Sequence, residues 1–220
     1  MEEEKKPKKT FQQPDRLKFP SDEKLHPWLS MLLDAYYLAD KGIAEALKNE
    51  VRKGRRLACA KGCSHCCKTH QTIPVYPIEL VGLSWYVTEK INGPERRVIR
   101  EQLLSYEENS PCPFLVEGAC SVHPMRPVSC RQFNVFDKPC TEGEDPYYTR
   151  RKDVLTPIKK YTDRVFFIML PFYGVAEENE RWKMIESGAV HHVVKLMQTC
   201  KWKSLAEKME EFDRKMRENK

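Results

Sequence analysis

Apolar residues first recur at helical spacing from His26-Pro27 onward. Trp28, Leu32, Ala35, Ala39, Ile43, Ala46 and Leu47 predict a helix to about Arg52, with Pro27 at a first helical position. Gln71 to Tyr76 is short and β-branched, and Pro77 then opens a helix carrying Ile78, Leu80, Val81, Leu83, Trp85, Tyr86 and Val87 that Gly93-Pro94 ends. Pro94 starts another through Val98, Ile99, Leu103 and Leu104, closing near Asn109. From Ser110 to Pro139 the pattern dissolves around Pro111, Pro113, Pro124, Pro127 and Pro139, so this stretch reads as irregular chain held by its ligands, and 137–148 as loop. Residues 153–170 fit a helix with Pro157 in its first turn, or a buried strand through Val165–Leu170, and periodicity leaves both open. Pro171 ends either one. Glu177 to about Cys200 and Ser204 to about Arg217 read as helices, the second amphipathic through Leu205, Met209, Phe212 and Met216. The chain has no internal repeat.

These patterns predict a mainly α fold, its helices surrounding an irregular, metal-stabilised, cysteine-rich centre. With 220 residues, 40% of them hydrophobic, the chain can bury a real core. Residues 1–20 are charged, Pro-interrupted and poor in apolar groups, which predicts a disordered N-terminal arm. A helical domain is expected over 21–175 and a C-terminal helical extension over 176–220. The net charge of +6 is modest, and Glu2–Glu4 precede the Lys5-Lys6-Pro7-Lys8-Lys9 run, so nucleic acid is not indicated as a partner. The first twenty residues hold no apolar signal segment, and the longest apolar run, Val165–Leu170, is six residues where a membrane span needs roughly 20. We therefore expect a soluble, cytoplasmic protein with no membrane partner, acting on or with an unknown protein or small molecule. In a reducing compartment clustered cysteines are thiolate ligands or redox groups rather than structural disulfides.

The candidate chemistry is concentrated in Cys59-x3-Cys63-x2-Cys66-Cys67, answered by Cys112, Cys120, Cys130 and Cys140. A tetrahedral zinc needs four ligands, and an iron–sulfur cubane needs a thiolate for each iron unless one iron is left open. Cys59, Cys63, Cys66, Cys112, Cys120 and Cys130 are the leading metal ligands, with Cys67 and Cys140 as second choices. Cys67 adjoins Cys66 and neighbouring side chains diverge, so the pair serves two sites or has one member spare. Eight cysteines between 59 and 140 suffice for two four-thiolate sites. Thiolate ligation accumulates negative charge, and Arg126 and Arg131 near Cys130 are placed to balance it as cofactor-binding groups. His65 and His123 are weaker ligand candidates because enough thiols exist without them, and His191-His192 reads as surface. Cys200 reads as a semi-buried small hydrophobe. Glu79, just inside a helix start, reads as a favourable N-terminal charge.

Together, Cys59-x3-Cys63-x2-Cys66-Cys67, Cys112-Pro113-Phe114-Leu115 and Cys120-x5-Arg126-Pro127-x2-Cys130-Arg131-x-Phe133 resemble the cysteine-cluster family described as zinc- or iron-chelating, also called the YkgJ family. The resemblance covers about residues 59–136 and implies metal binding, a 4Fe-4S or other iron–sulfur cluster or zinc, without implying a reaction. Flagellin lysine N-methylases are similar in this cysteine pattern, and there the implication is a cluster coupled to methyl transfer from S-adenosylmethionine. The family position beside Arg-Pro is commonly Tyr where this chain has His123. The x3-x2 spacing also matches the radical S-adenosylmethionine signature, but His65 stands where an aromatic is expected and no alternating strands and helices follow. Two classes of function remain: a cluster-dependent enzyme of the methyl-transfer or redox type, and a non-catalytic, zinc-stabilised binding or scaffold module.

Overall fold

The computed structural model describes residues 13–218. The chain is mainly helical, as the apolar spacing predicts. It begins with α1 (Pro20–Leu25) and the long α2 (Pro27–Arg52), each opened by a proline whose missing N–H is not needed in the first turn. Leu29, Leu32, Leu33, Ala35, Tyr36, Ala39, Ala46 and Leu47 form one buried stripe along α2. Then come the single turn α3 (His65–Thr69), β1 (Pro74–Val75), α4 (Pro77–Glu89) and α5 (Gly93–Leu104). The proline-rich stretch is less irregular than expected. It holds the hairpin β2 (Leu115–Val116) and β3 (Ala119–Cys120), a 3-10 turn at His123–Met125, and α6 (Val128–Gln132).

After the short α7 (Pro146–Thr149), α8 (Lys159–Met169) settles the helix-or-strand question in favour of helix. It starts later than the spacing suggests, because Val154 is bridged to Val135 and Pro157 lies outside the helix. The expected helix from Glu177 to Cys200 is broken. It ends as α9 (Glu178–Glu186), where Gly188 takes a left-handed φ of 75°, and the chain then pairs β4 (Lys195–Leu196) antiparallel to β1. The last helix is α10 (Trp202–Glu218).

Packing centres on α2, which lies against α8, α6, α4 and α1, while α10 covers α4 and α5. One apolar cluster runs from Leu29 and Leu32 through Ile78, Leu83, Ile99 and Val165 to Trp202, Leu205 and Met209. The segment from 176 onward is thus part of the same core and not an extension beside it. A smaller cluster of Ala46, Leu47, Phe136 and Leu155 sits near the C-terminal end of α2, beneath the cysteine loops. The disordered-arm expectation falls partly on residues 1–12, which lie outside the described residues. It does not hold for Arg16–Pro20: Arg16 pairs with Glu23 at 2.8 Å and Asp34 at 2.5 Å, and Phe19 stands edge-on to Trp85 at 5.1 Å. Among the described residues no helix is long and apolar enough to cross a membrane.

The α2–α8 contact tolerates no added bulk. A Cβ at Gly42 would lie 2.6 Å from Tyr161 Cβ, an atom fixed by its own backbone. Gly42→Ala should therefore destabilise the protein by about 1–3 kcal/mol despite the better helix propensity of alanine, read as a lowered urea midpoint with an unchanged slope.

Candidate metal centre

The cysteines are positioned by short elements anchored to the bundle. Ala58 N–H donates to Val135 O at 2.8 Å, and Val135 N–H donates to Cys59 Sγ at 3.3 Å, so Cys59 rides on a short antiparallel contact that includes Leu57 opposite Phe136. The α3 turn carries Cys66 and Cys67. Cys112 N–H donates to Cys67 O at 2.7 Å, joining the second cysteine group to the first. Cys120 ends β3, Cys130 lies on α6, and Cys140 follows on the loop.

All eight of these cysteines line one cavity of about 910 Å³. Cys63 is exposed, and the other seven are partly buried. As they stand, no three His, Cys, Asp or Glu side chains among the described residues are gathered tightly enough to hold a single ion. Cys67, a second choice from sequence, is central: Cys112, Cys120 and Cys66 surround its thiol and push it far up, so it keeps its proton. Sharing that proton draws Cys66 down to about 7 and lowers Cys120. Burial raises Cys130 and Cys59, and burial with the nearby Cys59 raises Cys140 to about 11. Cys200 is absent from the cavity wall and bonds to Leu196 O at 3.4 Å, in keeping with its reading as a small hydrophobe.

The two arginines part company. Arg126 lines the cavity, its charge reaches Cys59, Cys66 and Cys120, and its Nε is buried without a hydrogen-bond partner. Arg131 corrects the sequence expectation, since it does not line the cavity. Its guanidinium pairs with Asp40 at 2.7 Å, donates to Arg126 O at 2.9 Å and to Pro124 O, and lies 4.1 Å from the Tyr36 ring centre. All three of its nitrogens are thereby committed to holding the turn before Cys130.

Glu79 does more than favour a helix start. Fully buried, it accepts Tyr76 N–H at 2.9 Å with one oxygen and Val128 N–H at 2.7 Å with the other, fastening α6 to α4. His65 and His123 both reach the cavity wall. His70, which the sequence reading passed over, lines it too, 3.4 Å from Asp145 and edge-on to Phe133 at 4.3 Å. The available signal was its place on the chain, three residues after Cys67 on the same turn. Gln198 was also missed: its amide donates to His70 O at 2.7 Å and accepts Ile73 N–H at 3.1 Å. His191 is exposed as expected, and its Nδ1 meets Tyr76 OH at 2.6 Å.

Burial raises the Glu79 carboxyl from 4.5 to about 7, against its two backbone N–H bonds. Between those values the folded protein holds a proton that the unfolded chain releases. The stabilisation is therefore complete below pH 4.5 and is lost as pH rises through 7, roughly 3 kcal/mol over that window. Glu79→Gln should flatten this slope while lowering stability outright, since an amide cannot accept both N–H bonds. Urea midpoints at pH 5 and pH 7.5 measure both effects.

Residues 58–154, somewhat under half of the chain, match the family model described as "CxxCxxCC: Putative zinc- or iron-chelating domain". No curated protein and no solved structure matches the chain. The matched segment runs past the expected end at 136, so it takes in Cys140 together with the other cavity thiols and Arg126. Over residues 58–154 this chain is therefore similar to the cysteine-cluster domains that this family model describes.

Proposed function

We propose that the thiol cavity holds an iron–sulfur cluster, bound chiefly by Cys66, Cys67, Cys112 and Cys120 with Cys130 behind them. The observation that carries this reading is the convergence of eight cysteines on one cavity of about 910 Å³, more thiols and more room than the four sulfurs around a single zinc require. The donor set fits the group: thiols are the ligands of such clusters, and Arg126 offers an unpartnered guanidinium against their charge. When bound, a cluster supplies electron transfer, or an iron able to take a small ligand where one thiolate is missing.

The chain's own groups have definite parts in this reading. Val135 N–H points at the Cys59 sulfur, and hydrogen bonds to cluster sulfurs set the potential. Tyr147 and Tyr148, both at least half exposed, form an aromatic mouth beside the thiols, with Phe133 and the largely buried His70 deeper in the wall. That mouth favours a cluster-dependent enzyme of the methyl-transfer or redox class, acting on a small molecule in a reducing compartment. A scaffold module needs only a closed thiolate site.

Protein prepared without air from iron-replete cells should be brown, with broad visible absorbance that fades on reduction and acid-labile sulfide accompanying the iron. Cys67→Ser should abolish the colour. Colourless protein carrying stoichiometric zinc would overturn the reading in favour of the scaffold. Removing the cluster should also raise amide exchange from Ser110 to Pro139 while α2, α4 and α8 keep their protection, because that stretch is built of elements of two to five residues with few backbone hydrogen bonds of their own. Equal protection of the stretch with and without metal would count against it.

A further inference from the structure

Asn134–Phe136 is the middle of three short extended segments. On one side Ala58 N–H donates to Val135 O at 2.8 Å and Leu57 is bridged to Phe136. On the other, Phe136 N–H donates to Asp153 O and Leu155 N–H to Asn134 O, each at 2.8 Å. The first flank delivers Cys59 to the thiol cavity. The second delivers the 3-10 turn Arg151–Asp153, followed by Val154 and Thr156. A cavity cysteine and a basic turn are thereby fixed to the same backbone ladder.

A second cavity, of about 460 Å³, opens against that turn and is walled by Glu50, Arg55, Arg151, Lys152, Val154 and Thr156. Arg151 and Val154 also line the thiol cavity, so the two spaces share a wall. The charges around the second cavity differ in their commitments. Glu50 gives one oxygen to Lys53 at 2.7 Å and the other to Arg55 at 3.1 Å. Arg55 also holds Asp137 at 2.9 Å, and Asp153 is shared between Arg55 and Arg150. Arg151 spends one nitrogen on Val154 O at 3.2 Å, and neither it nor Lys152 meets a carboxylate among the described residues. Two uncommitted cations and a threonine are therefore left on the wall. On the thiol side, Arg151 lies 5.2 Å from the Tyr147 ring centre, and Tyr147 stands edge-on to Tyr148 at 5.2 Å. Among the described residues Asp145 is the sole carboxylate of the thiol cavity's wall, and it is occupied by the Tyr147 N–H at 2.9 Å and by His70.

Resting on the reading of the thiol cavity as a reaction site, we infer that its substrate is a phosphorylated small molecule. The phosphate is held in the second cavity by Arg151 and Lys152, with Thr156 as a hydroxyl donor, and the rest of the molecule passes Arg151 and the Tyr147 ring into the thiol cavity. A phosphate monoester carries about two negative charges near neutrality and three acceptor oxygens, which matches two cations and a hydroxyl better than a carboxylate does. The planar guanidinium of Arg151, steadied by its bond to Val154 O, sets direction, and the Lys152 ammonium acts as a point charge. Both side chains are exposed, so the grip weakens as salt rises.

The test is equilibrium binding of phenyl phosphate to the full chain, purified without air and kept at low salt, measured by calorimetry beside benzoate and phenol. Phenyl phosphate should bind, with benzoate about tenfold weaker and phenol without measurable affinity. Arg151→Gln and Lys152→Gln should each weaken phenyl phosphate by about tenfold at unchanged visible absorbance and sulfide content. Lys138→Gln, which removes an exposed cation that lines neither cavity, should leave the affinity as it is. Three results overturn the inference: phenyl phosphate that binds no better than benzoate, affinity indifferent to both cavity variants, or an equal loss in Lys138→Gln, the mark of diffuse surface charge. Colour and sulfide in the same preparations report the cluster separately. Brown protein that ignores the probe refutes this anchor alone, whereas colourless zinc protein that binds it through Arg151 refutes the cluster and keeps the anchor.

Discussion

A buried carboxylate holds the thiol loops to the helical bundle. Glu79 belongs to α4, inside the apolar core, yet one of its oxygens reaches the first N–H of α6, the turn that carries Cys130. Without that bond α6 would have only its five residues and the Arg131 clamp to fix it, too short a helix to persist alone. Arg131 supplies the second tie, to Asp40 and the Tyr36 ring on α2. Burying these charges costs desolvation energy and confers little net stability. Their value lies in setting where α6 sits: removing Glu79 would leave the buried Tyr76 and Val128 N–H groups unsatisfied, and removing Asp40 would leave the buried Arg131 without its ion pair.

The same logic continues into the cavity. Thiols brought together by a rigid frame cannot all ionise, and the chain answers this by leaving Cys67 protonated among Cys66, Cys112 and Cys120. Arg126 completes the balance from the side, with a buried Nε that no protein group satisfies. A guanidinium left in that condition is a costly feature for a core, and its cost is offset once negative charge occupies the space in front of it.

Much of this was legible in the sequence, and the exceptions have physical causes. The α2 stripe and the amphipathic α10 were readable because apolar spacing reports burial on one face of a long helix. The thiol set was readable from density and spacing alone. Arg131 was misassigned because proximity in sequence to Cys130 does not give direction, and on α6 its side chain turns towards α2. The break after Glu186 was hidden because a single glycine in an otherwise helical stretch is tolerated as often as it terminates. Gln198 was invisible for a different reason: its role arises beside the pairing of β1 with β4, a contact between segments more than a hundred residues apart.

That pairing has a consequence for how the protein is made. Met197 lines the cavity and donates its N–H to Ile73 O, while Gln198 holds His70 and Ile73, so part of the thiol cavity's wall is supplied and braced by residues far downstream of the cysteines. The cysteines leave the ribosome well before it. At ordinary rates of synthesis the nascent thiols wait on the order of ten seconds with that wall missing, open to adventitious metals and oxidants. Faithful loading therefore waits for Met197 and Gln198, more than fifty residues beyond Cys140, to close the vessel that the earlier chain only outlines.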